Sequence, residues 1–146
     1  MSSMMGKTSF VKVEDGKIQH IGGIGIGGGT IQGLSRLLLK THDIHQVVEM
    51  AQKGIVENID LQIKDICNAA LPGLPLNATA STFGKADSNS SLEDVAAGII
   101  HMVLQSIGQS VILAALNSSI KDFVLIGNLA KLPQCKEVFP IMEDMY

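Results

Sequence analysis

The chain has 146 residues, 46% of them apolar but only 3% aromatic and none Trp, so one compact core must be assembled from Ile, Leu, Val, Ala and Met. A net charge of −3 and an isoelectric point near 5.7, with the lysines scattered singly, exclude the basic stripe that nucleic acid or an anionic lipid surface requires. Cys67 and Cys135 form no Cys-x-x-Cys pair and read as reduced buried thiols, residues 1–7 lack a signal-peptide core, and no unbroken apolar run reaches the ~18 residues of a membrane span, which together point to a soluble cytoplasmic protein.

In chain order, Phe10 to Glu14 and Lys17 to Ile21 are β-prone runs joined by Asp15-Gly16, a hairpin signal. Six of the eight residues from Gly22 to Gly29 are glycine, a composition unsuited to a helix interior or a good strand. Thr30 can then cap a helix to about Lys40, with Ile31, Leu34, Leu37 and Leu38 on one apolar face. Asp43 is placed to cap a second helix, Ile44 to Lys53, which Gly54 stops.

Asn58 to Cys67 alternates through Ile59, Leu61 and Ile63 and reads as a half-buried strand, although Ile66 breaks the parity. Pro72, Gly73 and Pro75 keep the following stretch irregular. The cluster Asp87 to Ser91 supplies the cap for a long helix from Leu92 to about Leu116. Apolar residues cover most of that helix, and Gly98, Ser106, Gly108 and Ala114 are small enough to admit a neighbour. Lys121 to Gly127 reads as a buried strand ending in glycine, and Pro133 to Phe139 as a short helix. This order gives an α/β or α+β layered domain. It is not a Rossmann unit, because a hairpin and not a βαβ start precedes the glycines.

The glycine block is the segment that points to chemistry. Backbone without side chains lets a ligand approach main-chain N–H groups. At the mouth of a helix those donors and the positive dipole end suit phosphate oxygens. The spacing is not that of a Walker A loop, and the resemblance of Gly6-Lys7-Thr8 to the end of one lacks the upstream strand and the spaced glycine. Elsewhere the bland roles prevail: His42 and His45 as solvated helix-start residues and not a metal pair, His101 as a packed or interface histidine, Asp60 and Asp65 as structural carboxylates.

The run Ile21-Gly22-Gly23-Ile24-Gly25-Ile26-Gly27-Gly28-Gly29-Thr30-Ile31-Gln32-Gly33-Leu34 closely resembles the G-G-x-G-x-G-G-G-x-x-x-G-L signature of type II pantothenate kinases. Met50 to Gly54, Ile59-Asp60-Leu61 with Asp65-Ile66, Ala80 to Gly84, and Val124 to Asn128 resemble further stretches of that family, in order, over some 120 residues. The resemblance implies the acetate/sugar-kinase, heat-shock-cognate and actin superfamily: here an incomplete RNase H-like lobe, α/β, with a mixed sheet and flanking helices. Residues 1–146 would form a single C-terminal lobe with the N-terminal lobe absent.

It further implies ATP with Mg2+ as phosphoryl donor and pantothenate as acceptor, in the first step of coenzyme A synthesis. Nucleotide-binding positions carried over are Gly6, Gly28, Gly29, Thr30, Ile31, Gln32, Ile44 and Asn128. His20 stands where the family binds pantothenate with an Arg. A homodimer through the long helix Leu92 to Leu116 is implied as well. The catalytic Glu and first phosphate loop of the family are not in this chain, and Met5 to Ser9 keeps only Thr8 and Ser9 of a second phosphate loop. Three readings therefore stand side by side: a kinase lobe inactive by itself, a degenerate nucleotide-binding module, and a packing or dimerisation module.

Overall fold

The computed structural model describes residues 7–69 and 72–145. It opens on an antiparallel hairpin, β1 (Thr8–Glu14) and β2 (Lys17–Ile24), closed by a two-residue turn. Asp15 and Gly16 both take positive φ, at 49° and 73°, the paired left-handed conformation that Asp-Gly supplies readily. The register slips between Phe10 and Val11, so Phe10 faces Gly22 and Val11 faces His20, which bulges β2 at Ile21. The strand runs deeper into the glycine block than its composition suggests. Gly23 belongs there because a Cβ would sit 2.5 Å from the Thr8 carbonyl oxygen.

Helix α1 (Gly28–Leu34) follows and continues as a π-helical turn over Ser35–Leu39, ended by Lys40 in the left-handed conformation. The expected cap is displaced by one turn. Gly27 is the N-cap, and Thr30, three residues in, closes the end by accepting the Gly27 N–H at 3.1 Å. Helix α2 (Ile44–Lys53) has the predicted bounds, with the Asp43 carboxylate accepting the His45 N–H at 2.9 Å.

The strand expected over Asn58 to Cys67 is not formed. A 3-10 turn (Val56–Asn58), a two-residue strand β3 (Leu61–Gln62) and a single helical turn α3 (Ile63–Ile66) replace it. Ile59 and Ile63, four apart, are the buried pair, and the Asp65 carboxylate accepts the Gln62 N–H to start the turn. The broken parity at Ile66 was the sign of this. β3 pairs antiparallel with β4 (Thr79–Ser81), so among the described residues the sheets are two separate two-stranded antiparallel pairs and not the one mixed sheet that was expected.

Helix α4 (Leu92–Ala115), capped by Ser91 on the Asp94 N–H, is the axis of the molecule. Ala96, Ile99, Ile100, Val103, Leu104 and Ile107 are buried against Ile31, Leu39, Val47 and Ala51 from the preceding helices and Val138 and Met142 from α5 (Cys135–Met145). Each fully buried Ile contributes about 1.5–3 kcal/mol over exposure, so this stripe dominates the stability. Two glycines on it are needed for close approach, as expected. A Cβ at Gly98 would lie 2.7 Å from Ile59 Cγ2, and one at Gly108 would meet Met142. By length and mean hydropathy of 1.5 α4 is long and apolar enough to cross a membrane, a test that core helices also pass, and 44% of that window is buried inside this fold.

The second expected strand is also missing. Residues 121–127 run without regular structure; Val124 and Ile126 are 85% and 84% exposed, and Leu125 alone turns to the core. A strand needs a neighbour to take its N–H and C=O groups, and no described strand pairs with this one. After it come Gly127, at φ 102°, a 3-10 turn (Asn128–Lys131) and α5, which continues through Pro140 well beyond the expected Phe139.

Candidate functional site

The glycine-rich turn leaves β2, passes Gly25 to Gly27 and enters α1. Parts of it are bonded internally. The Thr8 hydroxyl donates to the Ile26 carbonyl at 2.8 Å, and the Gly27 carbonyl accepts the N–H groups of Thr30 and Ile31 at 3.0 and 3.2 Å. The Gly27 N–H is taken by Thr30, whose hydroxyl also donates towards the Gly25 carbonyl at 3.5 Å. The amides at the first two positions of the helix, Gly28 and Gly29, have no intrahelical acceptor by the geometry of a helix start. Gly29 is exposed and Gly28 is buried.

The glycines here differ in why they are glycine. Gly25, Gly29 and Gly33 have no positive φ, and a Cβ on any of them would meet nothing within 4 Å. Neither backbone strain nor packing among the described residues calls for glycine at those positions. In a helix glycine costs up to about 1 kcal/mol relative to Ala, so at Gly29 and Gly33 it is a local loss.

Of the positions named by resemblance, the structure brings Gln32 and Ile44 together. With Ser35, Thr41, His42 and Val47 they line a shallow open depression between α1 and α2, too shallow to enclose a water molecule. The Ser35 hydroxyl at its floor is buried without a hydrogen-bond partner. Ile31 departs from its expected role: its side chain is fully buried in the core and its N–H is held by Gly27, so it supports the turn from behind. Asn128 opens the 3-10 turn after Gly127, and His20 stands exposed on β2 opposite Val11; neither lines the depression. Gly6 lies outside the described residues. Among the described residues no group of three or more His, Cys, Asp or Glu side chains is gathered as a metal site, and His42 and His45 are both exposed.

A polar centre that sequence reasoning treated only residue by residue gathers at Asp60. The fully buried Asp60 carboxylate accepts the Phe83 N–H at 2.9 Å and the Thr79 hydroxyl at 3.3 Å, and lies 3.1 Å from His101 Nδ1. It joins β3, the turn after β4 and α4 at one point. Phe83 takes a left-handed φ of 58°, costly for an aromatic residue, held by this hydrogen bond and by its ring against Gly98. The signal in the sequence was the pair of stretches Ile59-Asp60-Leu61 and Ala80 to Gly84, which the fold ties together.

Two carboxylates nearby are held below their usual range. The Lys85 ammonium and then the Gln62 N–H do this for Asp65, and the Ile55 N–H, with Asn58 and Ser91, does it for Asp94. Burial pushes the Cys135 thiol up and keeps it protonated, with its hydrogen directed at the Leu129 carbonyl. Cys67 and Cys135 are both free and half-buried.

Comparison with known proteins bears on the whole of this arrangement. The sequence profile of the Fumble family matches residues 6–136. The chain is 32% identical over 124 residues to the type II pantothenate kinase of Bacillus cereus, covering 83% of this chain and 45% of that protein. It is 37% identical over 129 residues to pantothenate kinase 1 of Arabidopsis thaliana, covering 82% of this chain and 34% of that one. It is 42% identical over 107 residues to the mouse 4'-phosphopantetheine phosphatase, covering 69% of this chain but 13% of that protein. The chain thus spans less than half the length of each of these relatives. The match takes in the glycine turn, both stretches joined by Asp60 and most of the core, and the chain belongs to the Fumble family, as the resemblance of the glycine block to type II pantothenate kinases implied.

Proposed function

We propose that this chain is the nucleotide-holding lobe of a pantothenate kinase, in which the Gly28 and Gly29 amides and the end of α1 receive the phosphates of ATP. The observation that carries this reading is the open space at Gly25, Gly29 and Gly33, where nothing among the described residues requires glycine. A ligand that must reach the backbone does require it. Gln32 and Ile44 border the adjacent shallow depression, over which the base would lie with the Gln32 amide and the apolar Ile44 beside it. Mg2+ would arrive on the phosphates. The RNase H-like layering expected for the complete fold, a homodimer through α4, and pantothenate at the surface of His20 belong to this same reading, as does action in the cytoplasm.

Phosphoryl transfer depends on positioning and on neutralising charge. One lobe leaves the γ-phosphate in water and offers it no opposing clamp. The chain by itself is expected to bind MgATP and to transfer no phosphate to pantothenate. Calorimetric titration with MgATP tests the first part. Gly29→Ala should keep or slightly raise the melting temperature, since its Cβ enters open space, while weakening MgATP at least about tenfold by crowding the amides. Equal affinity in the variant, or no binding by the wild type, would sink the proposal. A coupled assay that detects turnover by the chain alone would contradict the second part.

A second reading, a module that holds nucleotide without ever transferring phosphate, is favoured by His20 in place of an Arg fork and by the poor match of Met5 to Lys7 to a phosphate loop. The two readings part when the chain is joined to the remaining portion of a kinase relative: turnover supports the first, and binding without turnover supports the second.

A further inference from the structure

Among the described residues four buried side-chain atoms lack a hydrogen-bond partner: Ser35 Oγ and the Oε1 atoms of Gln62, Gln105 and Gln134. The last three are acceptors only, and Gln134 still bonds through its amide nitrogen, to the Val48 carbonyl at 3.4 Å. Ser35 Oγ is the one donor, and its hydroxyl makes no bond of either kind. Nothing local requires it. A helical serine usually gives its hydroxyl proton to the carbonyl one turn back, but here the Ile31 and Gln32 carbonyls take the Ser35 N–H instead. Alanine would fill the same place, favour the helix and leave no buried polar group unmet. The helix also passes into its π turn at this residue, an irregularity frequent at functional sites.

The Ser35 side chain is 2% exposed and lines the depression of Gln32, Thr41, His42 and Ile44, the surface over which the base is proposed to lie. An O–H that lacks an acceptor calls for one on the ligand. A purine offers acceptors at its ring nitrogens, whereas the exocyclic amine of adenine is a donor and cannot meet this need. We infer that Ser35 reads the base: its hydroxyl donates to a ring nitrogen of the purine, whose edge enters as the Gln32 and His42 side chains at the rim turn aside. A buried group built to hydrogen-bond one ligand atom discriminates sharply against an analogue that lacks that atom. The inference rests on the nucleotide-holding reading and adds to it the residue that selects the base.

The test is calorimetric titration of the wild type and Ser35→Ala with MgATP and with its 1-deaza, 3-deaza and 7-deaza analogues, beside thermal melting of each protein without ligand. Ser35→Ala should melt at or above the wild-type temperature and yet bind MgATP at least about fivefold more weakly. A residue that merely supports the fold would not move these two readings in opposite directions. One of the three analogues should bind the wild type as weakly as Ser35→Ala binds MgATP, and should lose nothing further on the substitution. Ser35→Cys, close in size but a weak donor, should share the loss and serves as the second variant if the first folds poorly. Equal affinity of the variants and the wild type for MgATP would overturn the inference, as would a loss of the same size for all three analogues. Wild-type binding with unchanged variants removes this inference alone; no binding of MgATP by the wild type removes it together with the reading beneath it.

Discussion

Asp94 shows how one carboxylate can decide a junction. It sits in the first turn of α4 and accepts the Ile55 N–H at 2.7 Å and the Asn58 side-chain amide at 3.1 Å, so it closes the loop after α2 onto the start of the long helix. The Ile55 N–H, the strongest of its contacts, holds the acid below its usual range. A group with a lowered folded-state value stabilises the fold above its unfolded value, and that contribution is lost as pH falls through the folded value. Asp94→Asn should therefore cost about 1 kcal/mol near neutrality, a figure kept small by solvent access. The gap to wild type should close in acid, below the ordinary carboxylate range near pH ~4. Urea titrations at several pH values check this; a gap of constant size down to strong acid would show that packing, not charge, is at work. The exposed pair of Lys64 and Glu57 is of the other kind, and its removal should leave the same curves unmoved.

At the scale of elements, what the sequence disclosed and what it hid have physical causes. Helix α2 was legible to the residue because its signals are local: Asp43 caps it, Gly54 ends it, and its stripe needs only one neighbour. The hairpin was legible for the same reason, through Asp15-Gly16. The strands expected at 58–67 and 121–127 were not, because a strand exists only with a partner, and the partner is not written in the strand. The Asp60 centre was hidden because it joins residues as much as 41 apart. Gly54 shows a further gap. It was expected as a helix stop, yet a Cβ there would run into the Glu93 carbonyl oxygen, so it is also the point where α2 and α4 touch. Gly54→Ala should destabilise by about 1–3 kcal/mol, because the obstacle is backbone and cannot swing away. Denaturant midpoints measure it, and a neutral result would mean the two helices can part there without loss. In the candidate site only the glycine block was legible; the depression beside it depends on α2 packing across α1.

For the molecule as a whole, stability is distributed unevenly. The helices close around α4 with a stripe of fully buried Ile, Val and Leu, whereas the hairpin leaves Val11, Val13 and Ile18 exposed and joins the helical part chiefly through Ile24 and Ile26. Amides of β1 and β2 should therefore exchange through local openings, and those at 99–107 in α4 only with global unfolding. Exchange measured against rising denaturant separates the two: hairpin amides that merge with the α4 set at all concentrations would show that the two parts unfold as one. The same division puts the glycine turn between a loosely held hairpin and a rigid helical body, so a ligand proposed to settle on Gly28 and Gly29 would have to meet the entropic cost of any ordering of the hairpin.

The π-helical turn at Ser35–Leu39 has a consequence for how the chain tolerates change in length. Such a turn carries one residue more than the α-helical turn it stands in for, with Leu37 and Leu38 bulged into water while Ser35 and Leu39 stay inside. The surplus is already written into the molecule, so losing one residue returns the helix to ordinary winding without moving Leu39 off the core. Deleting Leu38 should give a folded protein with a melting temperature within a few degrees of the parent, by the rough conversion of about 1 kcal/mol to 2–4 °C for a domain near this size. Deleting Met102 from α4, where no slack exists, should turn Val103, Leu104 and Ile107 by about 100° and leave the chain unfolded.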